Sequence, residues 1–284
     1  MYKIAMNKKP RVLVSWPLKQ STLEHFDQSI EYICIENVDS QYEECLQLIE
    51  DVDGLMAFDL TIDKQLIDKA KQLKVIGNYA VGFDNIDIQY AKEKCIAVSN
   101  TPHAVTMPTA ELAFALLLTL TRKIAFLNTG LKGKSFSSWN DRDLISNSLQ
   151  GKTMGIAGYG RIGATVAKMA KVFGMTVIYY KRHQLGQDEE EKQGVSYRDI
   201  DILFKEADVI SLNMPLNQDT KYIVSEPLLS RMKPTAFLIN TARGGVVDPD
   251  ALYDSLVNKK IAGAGLDVFW DCLLYTSPSP RDRG

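Results

Sequence analysis

One run, LQGKTMGIAGYGRIGATVAKMAKVFGMTVIYYKR from Leu149 to Arg182, restricts this chain to few folds. Thr153–Ala157 is a short apolar stretch that reads as a buried strand. Gly158-Tyr159-Gly160-Arg161-Ile162-Gly163 follows at once. Ala164–Phe173 has helical periodicity, with Val166, Ala167, Ala170 and Phe173 on one face, and Met175–Tyr180 is a second β-rich run. A bare GxGxxG is weak evidence, but between a strand and a helix it has a mechanism. Gly158 permits the tight turn, Gly160 lets a pyrophosphate approach the backbone, and Gly163 allows close helix–strand packing. The free N–H groups at the helix start then face the phosphates. The spacing predicts a dinucleotide site; the alternative is a glycine-rich connector with no ligand.

An NAD site usually places Asp or Glu about 20 residues on, to accept from the ribose 2′-OH. Here the second strand ends Tyr179-Tyr180-Lys181-Arg182-His183, with no acid. An acid would repel a 2′-phosphate, whereas a guanidinium binds it bidentately. Lys181 and Arg182 therefore favour NADP, with NAD as the other option and a solvated basic strand end as the plain reading.

Upstream, short apolar runs at Val12–Ser15, Tyr32–Ile35, Gly54–Phe58, Val75–Asn78 and Ala97–Ser99 alternate with helical patterns. Those patterns lie at Leu18–Gln28, Gln41–Glu50, Lys64–Leu73 and Ile86–Lys94. Such alternation implies an α/β fold with parallel sheets flanked by helices. Pro108 opens a further helix, Thr109–Lys123, which is apolar almost all round and so buried on most sides, in a domain core or a dimer interface. Ser135–Ser148, polar apart from Trp139, fits a loop crossing a cleft. Gln187–Lys192 (QDEEEK) reads as a solvated face.

With Lys+Arg 33 against Asp+Glu 35, the chain has no electrostatic footprint for nucleic acid or an anionic membrane. Its four cysteines form no CxxC pair, so no metal site is expected. The N-terminus lacks a signal-peptide core and no uncharged stretch could span a bilayer, so a cytoplasmic location is expected.

Ligands of open α/β sheets bind beyond the carboxyl ends of strands. Two stretches occupy such places. Asn78–Asp84 (NYAVGFD) has a glycine that can bring backbone donors to an anion, or merely turns the chain. Thr241-Ala242-Arg243-Gly244-Gly245 follows the buried run Ala236–Asn240, and the fork of Arg243 suits a carboxylate unless it pairs with an acid such as Asp248. Asp208–Pro215 is another strand ending in a proline turn, and Gly263–Phe269 is the last, carrying Asp267.

NYAVGFDNID (Asn78–Asp87), SNTP (Ser99–Pro102), TAELAFALLL (Thr109–Leu118), GYGRIG, INTARGGVVD (Ile239–Asp248) and GLDVF (Gly265–Phe269) stand in one order. That order resembles the D-isomer-specific 2-hydroxyacid dehydrogenases, and most of all their glyoxylate/hydroxypyruvate/2-ketogluconate reductase branch. The resemblance implies a flavodoxin-like substrate domain over residues 1–104 and a Rossmann dinucleotide-binding domain over 105–271. It also implies an active site in the cleft between them and a homodimer built on the nucleotide domains. By the same resemblance Arg243 is the catalytic arginine that holds a 2-oxo acid carboxylate and polarises its carbonyl. Val81 and Gly82 are the carboxylate-binding loop. Thr109, Gly158, Gly160, Arg161, Ile162, Gly163, Pro215, Thr241, Ala242 and Asp267 match cofactor contacts.

The family continues its DVF motif as x-x-Glu-Pro and later supplies a Thr-Pro-His, whose histidine protonates the forming alkoxide. Here Trp270, Asp271 and Cys272 follow instead, with no later histidine. Residues 272–284 look like translated adapter sequence, a non-native tail, so the nucleotide domain is expected to be cut short at its C-terminus and turnover to be poor. His25, His103 and His183 are not expected to substitute for the missing acid. The other readings are a nucleotide-sensing protein without chemistry and a phosphoglycerate dehydrogenase.

Overall fold

The computed structural model describes residues 9–133 and 145–270. Trp139 and most of the polar loop around it, together with the tail from residue 271, lie outside the described residues. The chain divides into two units, Met1–Val105 and Thr106–Gly284.

In the first unit, strands β1 (Arg11–Val14), β2 (Glu31–Cys34), β3 (Gly54–Ala57), β4 (Val75–Asn78) and β5 (Ala97–Ser99) form one sheet in the order β2-β1-β3-β4-β5. Every pairing is parallel, with Leu13 opposite both Ile33 and Leu55, and Ile76 opposite Val98. This is the flavodoxin-like order that the resemblance implies, and its parallel pairing is what the alternation predicts. Between the strands run α1 (Gln20–Leu23), α2 (Gln41–Leu48), α3 (Lys64–Lys69) and α4 (Ile88–Glu93). Asp63 and Asp87 cap α3 and α4 by accepting from Leu66 N–H and Tyr90 N–H. The expected helix Leu18–Gln28 shrinks to one turn. Asp27 takes the Ser29 N–H in a side-chain turn, which sends the chain into β2 instead.

The second unit opens with α5 (Thr106–Thr121) and α6 (Ile124–Lys132). Then come β6 (Thr153–Ala157), α7 (Arg161–Val172), β7 (Thr176–Tyr180), α8 (Gln187–Gln193), β8 (Ser196–Tyr197) and α9 (Ile200–Glu206). The chain continues through β9 (Val209–Leu212), α10 (Glu226–Leu229), β10 (Phe237–Asn240), α11 (Pro249–Val257) and β11 (Gly263–Leu266). Its sheet runs β11-β10-β9-β6-β7-β8, parallel throughout, the doubly wound nucleotide-binding order with its switch point between β6 and β9. Among the described residues β11 pairs on one side only, with β10.

Alternation along the strands splits the core between the two sheet faces. Ala157, Ile178, Ile210 and Leu238 pack with α9, α10 and α11, while Met154, Ile156, Val177 and Ile239 pack with α5 and α7. Two expectations need correction. The helix α5 begins at Thr106, two residues before Pro108, because first-turn N–H groups have no intrahelical partner to lose. Within the single chain α5 buries Ala110, Ala113, Phe114 and Leu117 and leaves Met107 and Leu112 exposed. On α7 the buried stripe is Gly163, Val166, Ala167 and Ala170, and Phe173 caps the helix half-exposed, stacked on Phe114.

Candidate functional site

The carboxyl ends of β6, β7 and β9 meet around Gly158. Its N–H donates to Tyr180 O (3.0 Å), and Asn213 N–H donates to Ala157 O (2.7 Å). Gly158 takes φ +100, a left-handed conformation, and a Cβ there would stand 2.6 Å from the Asn213 carbonyl carbon. A Cβ on Gly160 would meet no heavy atom within 4 Å. The space above the turn is therefore open where a pyrophosphate would approach. Gly160 is also the N-cap of α7 and offers no side chain, so the first-turn N–H groups of Arg161, Ile162 and Gly163 remain available to an anion.

Beside this turn lies a cavity of 340 Å³. Gly158, Gly160, Lys181, Arg182, His183 and Pro215 are among the residues that line it, and Asn217, Asp219 and Thr220 form part of another wall. Neither Lys181 nor Arg182 enters an ion pair among the described residues. Asn217 folds its own loop, its Oδ1 accepting from Asp219 N–H (2.9 Å) and Thr220 N–H (3.0 Å). Two buried side-chain oxygens at the strand ends, Asn213 Oδ1 and Thr241 Oγ1, have no partner among the described residues. Buried polar atoms of this kind are rare unless a ligand or water completes them. Open space over Gly160, unsatisfied polar atoms and flanking cations together fit a phosphate-bearing dinucleotide.

After β10, Asn240 holds the following loop with both ends of its amide. Its Nδ2 donates to Arg243 O (3.0 Å), and its Oδ1 accepts from Ala242 N–H (3.0 Å). Asn240 is fully buried, and nothing in the sequence pattern marked it as a residue that places Arg243. Arg243 itself is half-buried, with Nη1 donating to Ala242 O. Asp248, the acid weighed as its structural partner, accepts from Asp250 N–H and Ala251 N–H as the N-cap of α11. The loop is clamped from outside as well: a Cβ on Gly244 would overlap the Phe269 carbonyl, and Trp270 Nε1 donates to Val247 O (2.9 Å). Asp267 is exposed at the end of β11, its N–H bonded to Asn240 O (3.0 Å). Thr109 is half-buried near the start of α5.

In the first unit, the loop after β4 has its carbonyls turned inward. Gly82 O accepts from Asn78 Nδ2 (2.7 Å), Val81 O from Asn100 Nδ2 (2.8 Å) and Ala80 O from Thr101 N–H (3.0 Å). With their carbonyls fixed, the N–H groups of Val81 and Gly82 are left without an acceptor among the described residues. Next to this loop Trp16 stacks on Tyr79 (5.9 Å between centroids), and Phe58 tilts against Tyr79 (6.0 Å).

The expected solvated face of α8 is only partly so. Glu190 is half-buried and accepts the Tyr179 hydroxyl (2.6 Å), because Tyr179 is fully buried and its O–H must find a partner. No group of His, Cys, Asp and Glu among the described residues could hold a metal ion.

The family model for the D-isomer specific 2-hydroxyacid dehydrogenase NAD binding domain matches residues 114–282. The glyoxylate reductase of Thermococcus litoralis is 48% identical over 229 residues, covering 79% of this chain and 69% of that protein. The hydroxypyruvate reductase of Thermotoga maritima is 42% identical over 229 residues, covering 80% and 72%. An NADPH-dependent glyoxylate/hydroxypyruvate reductase from Sinorhizobium meliloti, solved with NADP and malonate, superposes with a TM-score of 0.82. It shows 30% identity and covers 96% of this chain and 82% of its own. The chain belongs to the D-isomer specific 2-hydroxyacid dehydrogenases, oxidoreductases that move a hydride between a nicotinamide dinucleotide and a small 2-oxo or 2-hydroxy acid.

Proposed function

We propose that this chain uses NADPH in preference to NADH and reduces a small 2-oxo acid such as glyoxylate or hydroxypyruvate. The observation that carries the cofactor part is the pair Lys181 and Arg182 on the cavity wall after β7, where an NAD site would hold a carboxylate. The names and bound cofactor of the similar proteins support the same reading. A bound nicotinamide supplies the hydride. Every other contribution comes from the chain.

The first-turn N–H groups of α7 hold the pyrophosphate, and Thr109, Pro215, Thr241, Ala242 and Asp267 line the path of the dinucleotide. Thr241 Oγ1, buried and unpartnered among the described residues, gains a hydrogen bond when that path is filled. Arg243 grips the substrate carboxylate and stabilises the negative charge that grows on the carbonyl oxygen during reduction. In the first unit, the Val81 and Gly82 N–H groups offer donors that suit a carboxylate. The forming alkoxide also needs a proton. Of the chain's three histidines, His183 lines the cavity beside Lys181 and Arg182, and His25 and His103 belong to the first unit.

Met107 and Leu112 on α5 and Ile124 and Leu131 on α6 are exposed apolar side chains in the nucleotide unit, which supports a homodimer built there. Sedimentation at micromolar concentration should give twice the monomer mass, and a monomer would remove the dimer from the account. No helix among the described residues is long and apolar enough to cross a membrane. Calorimetric titration tests the cofactor assignment: NADPH should bind more tightly than NADH, and equal or tighter NADH binding would overturn it.

A further inference from the structure

Tyr179 and Glu190 take no part in the reaction and do not line the cofactor cavity, yet they are joined by a short hydrogen bond behind its basic wall. The loop from Lys181 to Leu185 makes no backbone–backbone hydrogen bond among the described residues. Side chains hold it instead. Leu185 N–H donates to the Tyr179 hydroxyl (2.9 Å), that hydroxyl donates to Glu190 Oε1 (2.6 Å), and Gln184 Nε2 donates to the same oxygen (3.0 Å). We infer that Tyr179 and Glu190 are positioning residues for cofactor choice, fixing the loop so that Lys181 and Arg182 meet a 2′-phosphate. This rests on the assignment of those two cations to NADPH.

The anchor is stiff. The Tyr179 ring is fully buried between Tyr159 (centroids 4.6 Å apart) and Tyr197 (5.7 Å), so its hydroxyl has one place to be. Burial, reinforced by the hydrogen bond to Glu190, pushes the phenol up to about 12, which keeps it a donor. The Tyr179 hydrogen bond in turn lowers the Glu190 carboxyl, which stays an anionic acceptor. A charge-assisted bond of this kind is stronger than a neutral one. A second link, Tyr159 O–H to Gln193 Oε1 (2.6 Å), ties the far end of α8 to the glycine turn. Lysine and arginine are long and flexible, so their aim depends on where the backbone puts their Cα atoms. NADH carries no 2′-phosphate and is indifferent to that aim. The network therefore acts on one cofactor and not on the other.

The test is calorimetric titration of the full chain with 2′,5′-ADP and with 5′-AMP, probes that differ only in the 2′-phosphate. Tyr179→Phe should weaken 2′,5′-ADP by about fivefold, the size of one lost positioning hydrogen bond, and leave 5′-AMP unchanged. Glu190→Gln, which keeps an acceptor, should bind both probes within about twofold of the parent, while Glu190→Ala should resemble Tyr179→Phe. Gln184→Ala, at an exposed position that cannot endanger folding, should show a smaller loss confined to 2′,5′-ADP. Equal loss for both probes, or none for either, would overturn the inference. Arg182→Ala separates the two levels. If it fails to weaken 2′,5′-ADP, the NADPH reading itself falls; if it does and the Tyr179 and Glu190 variants do not, only this inference falls.

Discussion

A β-carbon on Gly163 would overlap the carbonyl oxygen of Gly158 and stand 2.9 Å from Ile156 Cγ2, whereas one on Gly160 would touch nothing. Two glycines of one motif thus do different work. Gly163→Ala should destabilise the fold by about 1–3 kcal/mol, the usual cost of overpacking, and lower the thermal midpoint. Gly160→Ala should melt within a few degrees of the parent but bind NADPH at least tenfold more weakly, because its methyl enters the space left for the pyrophosphate. Normal NADPH binding by Gly160→Ala would show that the space serves something else.

Changing Lys181 to Asp and Arg182 to Pro together should reverse the cofactor preference. The new carboxylate can accept from a ribose 2′-OH and repels a 2′-phosphate. The ratio of NADPH to NADH dissociation constants measures this, and an unchanged ratio would sink the assignment.

Arg243→Ala should keep the NADPH affinity of the parent while hydride transfer to a 2-oxo acid drops by about 10²-fold or more, as when a donor to a developing oxyanion is lost. Asn240→Ala should lower both stability and transfer. It strips hydrogen bonds from the Ala242 N–H and the Arg243 carbonyl, at about 1–3 kcal/mol for buried groups left unsatisfied. Transfer at the parental rate by Arg243→Ala would refute the role of the guanidinium.

Asp208 gives the fold a pH dependence. Burial works to raise its carboxyl, but the Thr153 N–H (2.9 Å) and Lys233 Nζ (3.0 Å) outweigh that and hold it below the ordinary 3.8. A carboxyl lowered on folding contributes stability above its unfolded value and loses it as the pH falls through the folded one. Asp208→Asn should therefore be less stable than the parent at pH 6, and the gap in urea midpoint should close below about pH 4. A gap that stays constant with pH would mean that the charge is not what Asp208 contributes.

Both sheets and the glycine turn could be read from the sequence because their signals are local. A strand, three glycines and a helix within one stretch leave few alternatives, and parallel strands buried on both faces are apolar throughout. Arg243 was legible for the same reason, as a cation in a small-residue loop directly after a buried strand. The parts that escaped depend on long-range meetings. Glu190 looks like one acid in a solvated run until Tyr179, eleven residues earlier in sequence, presents a buried hydroxyl to it. Asn240 reads as an ordinary strand end, and only the folded loop shows its amide holding Ala242 and Arg243. The single turn at Gln20–Leu23 is shorter than the spacing over Leu18–Gln28 predicts, and after it Asp27 takes the Ser29 N–H in a side-chain turn that leads into β2.

The proposed reaction is hydride transfer from NADPH to a 2-oxo acid by the groups around Arg243. The most direct test mixes a stoichiometric amount of protein with NADPH deuterated at both nicotinamide C4 positions and with glyoxylate, then weighs the glycolate formed by mass spectrometry. Counting product rather than turnovers makes even slow chemistry visible. The expected product is glycolate carrying one deuterium on carbon, formed by the parent and greatly diminished in Arg243→Ala. Unlabelled glycolate, or none while NADPH remains bound and intact, would contradict the proposed reaction.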